Sequence, residues 1–486
     1  MQQLSGLDAT WLYLETETCF LQTGVVHVFE YPDDQGFSPL EATRDQFASR
    51  LDQIEPLRRR VVTVPFALDH PYWTIDPDFD LHYHIRHISL ARLEDDQLLA
   101  EQIAKIISRP LDRSRPLWEA YVIEGVSEDR WALFTKYHHA TLDGGAGILL
   151  LNMLFDSSVD ARPVVPETLV TDADSLPSKR EMMVKGARGA IKYPLKSARA
   201  QYEMVSELVT RTNNDDTLNL SSLARTTLKS VLKGSSIDDD ILLPTRSAPP
   251  TPWNVPLSGQ CDFAFCSVPL ADIKALGTAW GGTINDAVMA ACAGGLRRYL
   301  LAHDALPDDP LVTLMPVSQR TGTEAAPWTN MISVAMSFIP TNESDPLQRF
   351  DKVKQAVAQA KTLTNLVPEA LGGMSELANP ALMSSIAQLA TRWKLSNFAG
   401  GPANLTISNV AGPREPMYLS GAQLLKTIPV SLLNEGMGLN VTVLSYTDNL
   451  DFGLVACRNA VPDLPYMQEC ITTELDHLFE VANVRT

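Results

Sequence analysis

Hydrophobic and polar positions along this chain alternate between two periods. Val25-Val-His-Val-Phe-Glu-Tyr31 is β-branched and aromatic and predicts a strand. Leu98 to Ile107 repeats its apolar residues at three- and four-residue spacing and predicts a helix. Tyr121-Val-Ile-Glu-Gly and Trp131-Ala-Leu-Phe-Thr-Lys-Tyr137 read as strands that pair across the Ser127-Glu-Asp-Arg130 turn, and the apolar run Ile148 to Phe155 reads as a helix. A second series opens at Cys261-Asp-Phe-Ala-Phe-Cys-Ser-Val-Pro269 and contains the helical pattern Ala287 to Leu300. Strands interleaved with helices predict α/β or α+β layers rather than a bundle. Between the two series, prolines 163, 166, 177, 194, 244, 249, 250 and 252 break the pattern. The expected organisation is an N-terminal unit, 1–160, a partly helical linker, 161–255, and a C-terminal unit, 256–486.

Composition narrows the classes. A length of 486 residues is enough for two or three domains, each with its own core. The net charge of −18 repels nucleic-acid phosphates and excludes general nucleic-acid binding, while leaving room for an anionic ligand at a local basic mouth. The six cysteines form no CxxC pair, so neither a disulfide scaffold nor a zinc site is expected and a reducing cytoplasm is the simplest home. No apolar run approaches the roughly 20 residues that span a bilayer, so membrane contact is expected to be peripheral. The first residues lack a basic segment followed by an apolar one, the pattern of a secretory signal.

Chemistry concentrates in His138-His139-Ala-Thr-Leu-Asp143-Gly144-Gly145-Ala-Gly147, between the strand that ends near Tyr137 and the helix from Ile148. A neutral imidazole accepts a proton near pH 7, and a nearby carboxylate either fixes its tautomer or builds the turn that aims it. No serine or cysteine nucleophile motif precedes the pair, which points to direct attack by a substrate hydroxyl or amine. Adjacent strand residues face opposite sides, so one of the two histidines is expected to face the reacting centre.

The motif and its companions resemble the bacterial bifunctional wax ester synthase/diacylglycerol acyltransferases, within the CoA-dependent acyltransferase superfamily. The companions are Leu4-Ser-Gly-Leu-Asp8-Ala-Thr-Trp-Leu-Tyr-Leu-Glu15-Thr, Arg115-Pro116-Leu117-Trp118-Glu119, Thr283-Ile-Asn285-Asp286, Met315-Pro316-Val-Ser-Gln-Arg320, Ser408-Asn409-Val-Ala-Gly412-Pro413 and the tail from Gly438 to Asp463. Ala411 stands where the family usually has proline. The resemblance implies two chloramphenicol-acetyltransferase-like subdomains, each a mixed sheet with helices, meeting at a central tunnel. It implies long-chain acyl-CoA as co-substrate with no other cofactor, and diacylglycerol or a fatty alcohol as acceptor. It gives the role of general base to His139 and leaves His138 to support or packing. A carrier-protein-dependent condensation enzyme and an idle lipid-droplet protein are the rival readings.

The remaining candidates each carry a plain structural alternative. Asp143 either orients His139 or turns away to pair with a buried arginine. The resemblance favours the second, with Arg58 of Pro56-Leu57-Arg58-Arg-Arg60 as the expected partner and Arg320 as the next candidate, since an unpaired buried carboxylate is costly. Asn285-Asp286 reads either as a helix N-cap with a favourable charge or as an anchor for an oxyanion or the acyl group. Gly144, Pro116-Leu117-Trp118, Ser408-Asn409 and Gly412-Pro413 are expected to be turns that shape the tunnel walls. Strand alternation would put His82 and His84 on one face, but no carboxylate or cysteine completes a set, so no metal is expected. Lys185, Arg188, Lys192, Lys196 and Arg199 form a basic helical stripe beside Val184, Ala187 and Ile191. The stripe is either a docking element for an anionic membrane or lipid droplet, or the solvated edge of a packed helix.

Overall fold

The computed structural model describes residues 1–91, 96–161, 163, 175–189, 248–318, 320, 328–366 and 403–484. The chain opens with β1 (Gln2–Gln3) and the helix Gly6–Leu14, which starts where the Ser5 hydroxyl accepts the Asp8 N–H. The run around Val25 forms β2 (Gln22–Glu30). Helix Pro39–Arg50 leads to β3 (Arg59–Val62), β4 (Tyr72–Ile75) and β5 (Ile85–Ser89). The helix Asp96–Ile107 buries Leu99, Ala100, Ile103, Ala104, Ile106 and Ile107, the face its spacing predicted. Then β6 (Trp118–Glu124) and β7 (Arg130–His138) pair antiparallel, Trp118 opposite Tyr137 and Ile123 opposite Ala132.

The second half runs through β8 (Cys261–Pro269), helices Leu270–Ala279 and Ile284–Ala302, β9 (Leu311–Ser318), β10 (Ile332–Ile339) and helix Pro346–Leu366. It continues with β11 (Leu405–Ala411), β12 (Tyr418–Leu419), β13 (Ala422–Val430), β14 (Leu439–Tyr446), β15 (Asn449–Cys457) and helix Leu464–Val481. Two six-stranded sheets result, β12-β13-β2-β7-β6-β5 and β10-β9-β11-β14-β15-β8, with a small sheet β1-β4-β3 beside them. Both large sheets are mixed: β5 runs parallel to β6, and β11 parallel to β9 and β14.

The sheets do not divide as the sequence does. Residues 418–430 lie in the C-terminal half of the chain, yet β13 pairs with β2 from Leu424 opposite Phe29 to Val430 opposite Gly24. The same strand is tied to the other sheet, because Thr427 N–H donates to the buried Asp451 carboxylate at 3.0 Å. Pro429 lies so close over Gly453 that any side chain there would strike its carbonyl. Glycine at 453 lets the two sheets meet back to back. Elsewhere small residues have the same use: Gly294 and Gly295 of helix Ile284–Ala302 let helix Leu464–Val481 lie against them, with Glu474 and Ile471 in the gaps. That buried Glu474 pairs with Arg298 at 2.6 Å and with Arg349, which is 2 % exposed.

Two local expectations change. His82 and His84 lie on the one-turn helix Leu81–His84, because Asp80 caps it, so strand alternation does not apply. His84 is a core residue: it stacks on Trp118 at 4.4 Å, and its Nδ1 sits 2.7 Å from the Trp118 carbonyl. Of the basic stripe, only Lys185 and Arg188 lie within the described residues, in a helical stretch, 179–189. There the buried face is Met182 and Gly186, while Val184 and Ala187 are exposed, since Gly186 packs on Val64 and Leu68. Lys192, Lys196 and Arg199 lie outside the described residues, as does most of the proposed linker. Among the described residues, no helix is long and apolar enough to cross a membrane.

Candidate active site

The two histidines part company at the end of β7. His138 is its last residue, with its N–H bonded to the Leu117 carbonyl at 3.0 Å, and His139 begins the turn, its N–H bonded to the Leu21 carbonyl at 3.0 Å. His138 is buried. Its Nδ1 accepts the Ala140 N–H at 3.0 Å, which leaves the ring proton on Nε2, 3.3 Å from the Glu15 carboxylate. Burial lowers the basicity of His138, and the Glu15 charge opposes that. Burial would raise the Glu15 carboxyl, but His138 and Arg113 together hold it below its usual range. His138 is therefore held inside the protein by a hydrogen bond at Nδ1, with Glu15 facing its Nε2.

His139 faces the other way and keeps some exposure. Trp11, from the first helix, stacks on its ring with centroids 4.1 Å apart and planes at 30°. Burial pushes its pKa down to about 4, against the opposing pull of the Asp143 charge, so the imidazole is neutral at pH 7 with a lone pair to offer.

Asp143 does not orient that ring. Its Oδ1 accepts the Ala146 N–H at 2.7 Å, capping helix Gly144–Leu154. Arg320 Nη2 donates to both carboxylate oxygens, at 2.9 and 3.0 Å, and to the Thr329 carbonyl at 2.8 Å. Met331 N–H fills the remaining position on Oδ2 at 2.7 Å. Of the two arginines considered, Arg320 is the partner and Arg58 is not: the Arg58 guanidinium lies 3.6 Å from the nearby Asp52. Arg320 reaches Asp143 because residue 145 is glycine; a Cβ there would sit 2.7 Å from the Arg320 Cδ and Nε. The neighbouring Gly144 meets only Val410 of β11, at an ordinary 3.6 Å, so the close approach depends on the second glycine. This ion pair joins the turn of the first half to the loop that follows β9 in the second.

Trp118 is a core wedge rather than a tunnel-wall turn. It is fully buried, stacks on Phe47 and His84, and donates Nε1–H to the Leu57 carbonyl at 2.8 Å. Leu117, equally buried, supplies the carbonyl that fixes the His138 backbone. Ser408 and Asn409 are also not in a turn: they pair with Thr442 and Val443 inside the sheet. Only Gly412-Pro413 ends the strand, and Gly412 is needed because a side chain there would strike the Ser445 carbonyl. Asn285-Asp286 opens helix Ile284–Ala302, but the cap is Thr283, whose hydroxyl accepts the Asp286 N–H while Asp286 Oδ2 accepts the Thr283 N–H at 2.8 Å. No hydrogen bond among the described residues joins Asn285 or Asp286 to His139. Likewise, no group of three metal-binding side chains exists among the described residues.

Residues to which the motif reading gave no role complete the site. Asp8, Trp11 and Glu15 recur at three- and four-residue spacing from the first helix through its C-cap, so one helical face supplies contacts to both histidines; that spacing was legible. Asn330 has no local signal. It comes from the loop before β10, nearly two hundred residues from His139, and its Nδ2 donates to the His139 carbonyl at 3.0 Å.

Two mixed sheets linked by an exchanged strand, with an HHxxxDG turn at their seam, define a condensation-domain-like acyltransferase fold. The first condensation domain of the calcium-dependent antibiotic synthetase shares that fold, with a TM-score of 0.53 at 16% identity over 99% of this chain and 95% of its own. The family models described as "Wax ester synthase/diacylglycerol acyltransferase catalytic domain" and "WS/DGAT C-terminal domain" match residues 4–288 and 328–479. The chain belongs to this family and is an O-acyltransferase. It is 30% identical to O-acyltransferase WSD of Acinetobacter baylyi over 97% of this chain and 95% of that protein. It is 33% identical to a Mycobacterium tuberculosis chain that carries a provisional diacylglycerol O-acyltransferase name, over 98% and 99%. The wax ester synthase/diacylglycerol acyltransferase from Marinobacter aquaeolei superposes with a TM-score of 0.66 at 25% identity, covering 99% of this chain and all of its own.

Proposed function

We propose that this protein transfers a fatty acyl group from acyl-CoA to the hydroxyl of diacylglycerol or a long-chain alcohol, with His139 as the general base. One observation carries the reading: His139 is a neutral imidazole at the seam of the two halves, while Asp143 is committed to Arg320 and the loop. Among the described residues no serine or cysteine hydrogen-bonds to His139, which fits attack by the acceptor itself rather than by an enzyme nucleophile. His139 Nε2 takes the acceptor proton as the hydroxyl oxygen attacks the thioester carbonyl. The carbonyl becomes an oxyanion, the C–S bond breaks, and the departing CoA thiolate takes the proton back from the imidazolium. Asp286 is committed to the capping box, so of the two residues Asn285 is the one whose side chain is free to serve as an oxyanion donor in this reading.

The names of the relatives span both products, and acceptor choice is open to direct assay. Purified protein given palmitoyl-CoA with equal hexadecanol and dioleoylglycerol is expected to release CoA in step with wax ester, triacylglycerol or both. CoA release without either ester would reject the reading, and acylation of a carrier protein alone would move the activity to a condensation-type transfer.

A further inference from the structure

One face of the protein is apolar where water reaches it. Phe66 is 79 % exposed, and Met1, Met183 and Val184 are between 43 and 46 % exposed. Their neighbours bring them together. The Met1 sulfur lies 3.8 Å from Lys185 Nζ, and Gly186, one residue on, packs against Val64 and Leu68, two positions to either side of Phe66. Helix 179–189 is well anchored at its start, where Ser178 and Glu181 form a reciprocal cap: the hydroxyl accepts the Glu181 N–H at 3.3 Å, and the carboxylate accepts the Ser178 N–H at 2.7 Å. Met182 and Gly186, four residues apart, face the protein, while Met183, Val184 and Ala187 project into water. Phe66 has a φ of 58°, a left-handed backbone that a bulky residue rarely adopts. A strained turn therefore holds an aromatic ring out in solvent, beside a helix whose apolar flank is also uncovered.

We propose that this face docks the protein on an anionic phospholipid surface, with Phe66, Met183 and Val184 entering the apolar layer and the basic residues of helix 179–189 meeting the headgroups. The charge argues for that occupant. The helix carries Lys179, Arg180, Lys185 and Arg188, all exposed, against one acid, Glu181, on a chain of net charge −18. An anionic surface repels such a chain except where a local positive patch faces it, so charge selects this face and apolar insertion holds it there. Lysine and arginine suit the rim, since their stems lie along apolar surface while their charged heads reach phosphate. The face is also tied to the site. Lys185 Nζ lies over the Tyr72 ring, and Leu4 N–H donates to the Pro71 carbonyl just ahead of the helix whose Trp11 stacks on His139. The inference rests on the lipid-acceptor reading for its purpose, since an acceptor dissolved in a bilayer has to be met at the bilayer, but its geometry is independent of that reading.

The test is co-sedimentation of the full chain with phosphatidylcholine vesicles, with and without phosphatidylglycerol. The wild type is expected to bind the mixed vesicles and to be released from them as salt rises. Phe66→Ser/Met183→Ser/Val184→Ser is expected to weaken that binding about 10- to 100-fold. Lys179→Gln/Arg180→Gln/Lys185→Gln/Arg188→Gln should weaken it about tenfold or more, and only where phosphatidylglycerol is present. Equal binding of the wild type to both vesicle types, or undiminished binding of the triple serine variant, would overturn the proposal. Hydrogen exchange of the unaltered protein gives a reading that no variant can spoil: mixed vesicles should slow exchange in residues 64–68 and 179–188. Slowing confined to other segments would place the docking face elsewhere and overturn it as well. Turnover of palmitoyl-CoA with detergent-solubilised dioleoylglycerol should be the same in both variants as in the wild type, and a selective loss there would assign the face to the reaction path instead. Absence of ester in the wild-type assay would reject the proposed function while leaving the docking result intact.

Discussion

His139→Ala is expected to lower ester formation about 10²–10⁴-fold, the usual contribution of a positioned general base, with melting behaviour close to that of the parent. The ring keeps some exposure, and it makes no side-chain bond that holds an element of the fold in place. His138→Ala should do the reverse. That side chain is buried between the Ala140 N–H and Glu15, so its removal opens a polar cavity and lowers the melting temperature, while turnover falls far less. Burial holds the His139 pKa at about 4, below the ordinary 6.5, so the base is lost only as pH falls towards 4. The acid limb of kcat/KM in the wild type is accordingly expected near pH 4, with no inflection near 6.5. Equal losses of turnover in the two histidine variants would contradict the assignment.

Asp143→Asn is expected to unfold the protein more than it alters the chemistry. The side chain of Asp143 is fully buried and serves a helix cap, a two-oxygen contact with Arg320 and the Met331 N–H at once. Removing the charge takes the Asp143 carboxylate away from a guanidinium whose side chain is 14% exposed, a loss of about 3–5 kcal/mol for a buried pair deprived of one partner. Asp143→Asn/Arg320→Gln should recover part of that loss, since no charge is then left unpaired. An unchanged melting temperature with a displaced pH–rate profile would mean that Asp143 acts on His139 directly.

Local pattern made the strands β2, β6, β7 and β8 and the helices Asp96–Ile107 and Ile284–Ala302 legible, because each carries its own period and faces one core. The exchange of β13 was not legible: its alternation is that of any half-buried strand, and nothing local says which sheet it joins. The same limit governs the site. The HHxxxDG turn is contiguous and can be read, whereas Arg320 and Asn330 reach it from across the fold. Arg58 looked the better partner for Asp143 on motif context, yet Asp52 lies six residues before it and takes that charge. Gly145 shows what a sequence pattern hides: its glycine is set by an arginine 175 residues later, not by the helix in which it sits.

The central claim is direct transfer from acyl-CoA to acceptor with His139 moving only a proton. Rapid mixing of excess protein with radiolabelled palmitoyl-CoA, quenched before and after addition of hexadecanol and dioleoylglycerol, tests it most directly. The expected result is no label on the protein and intact thioester until acceptor is added, then ester and free CoA appearing together. Label bound to the protein before acceptor arrives, released into ester afterwards, would contradict it.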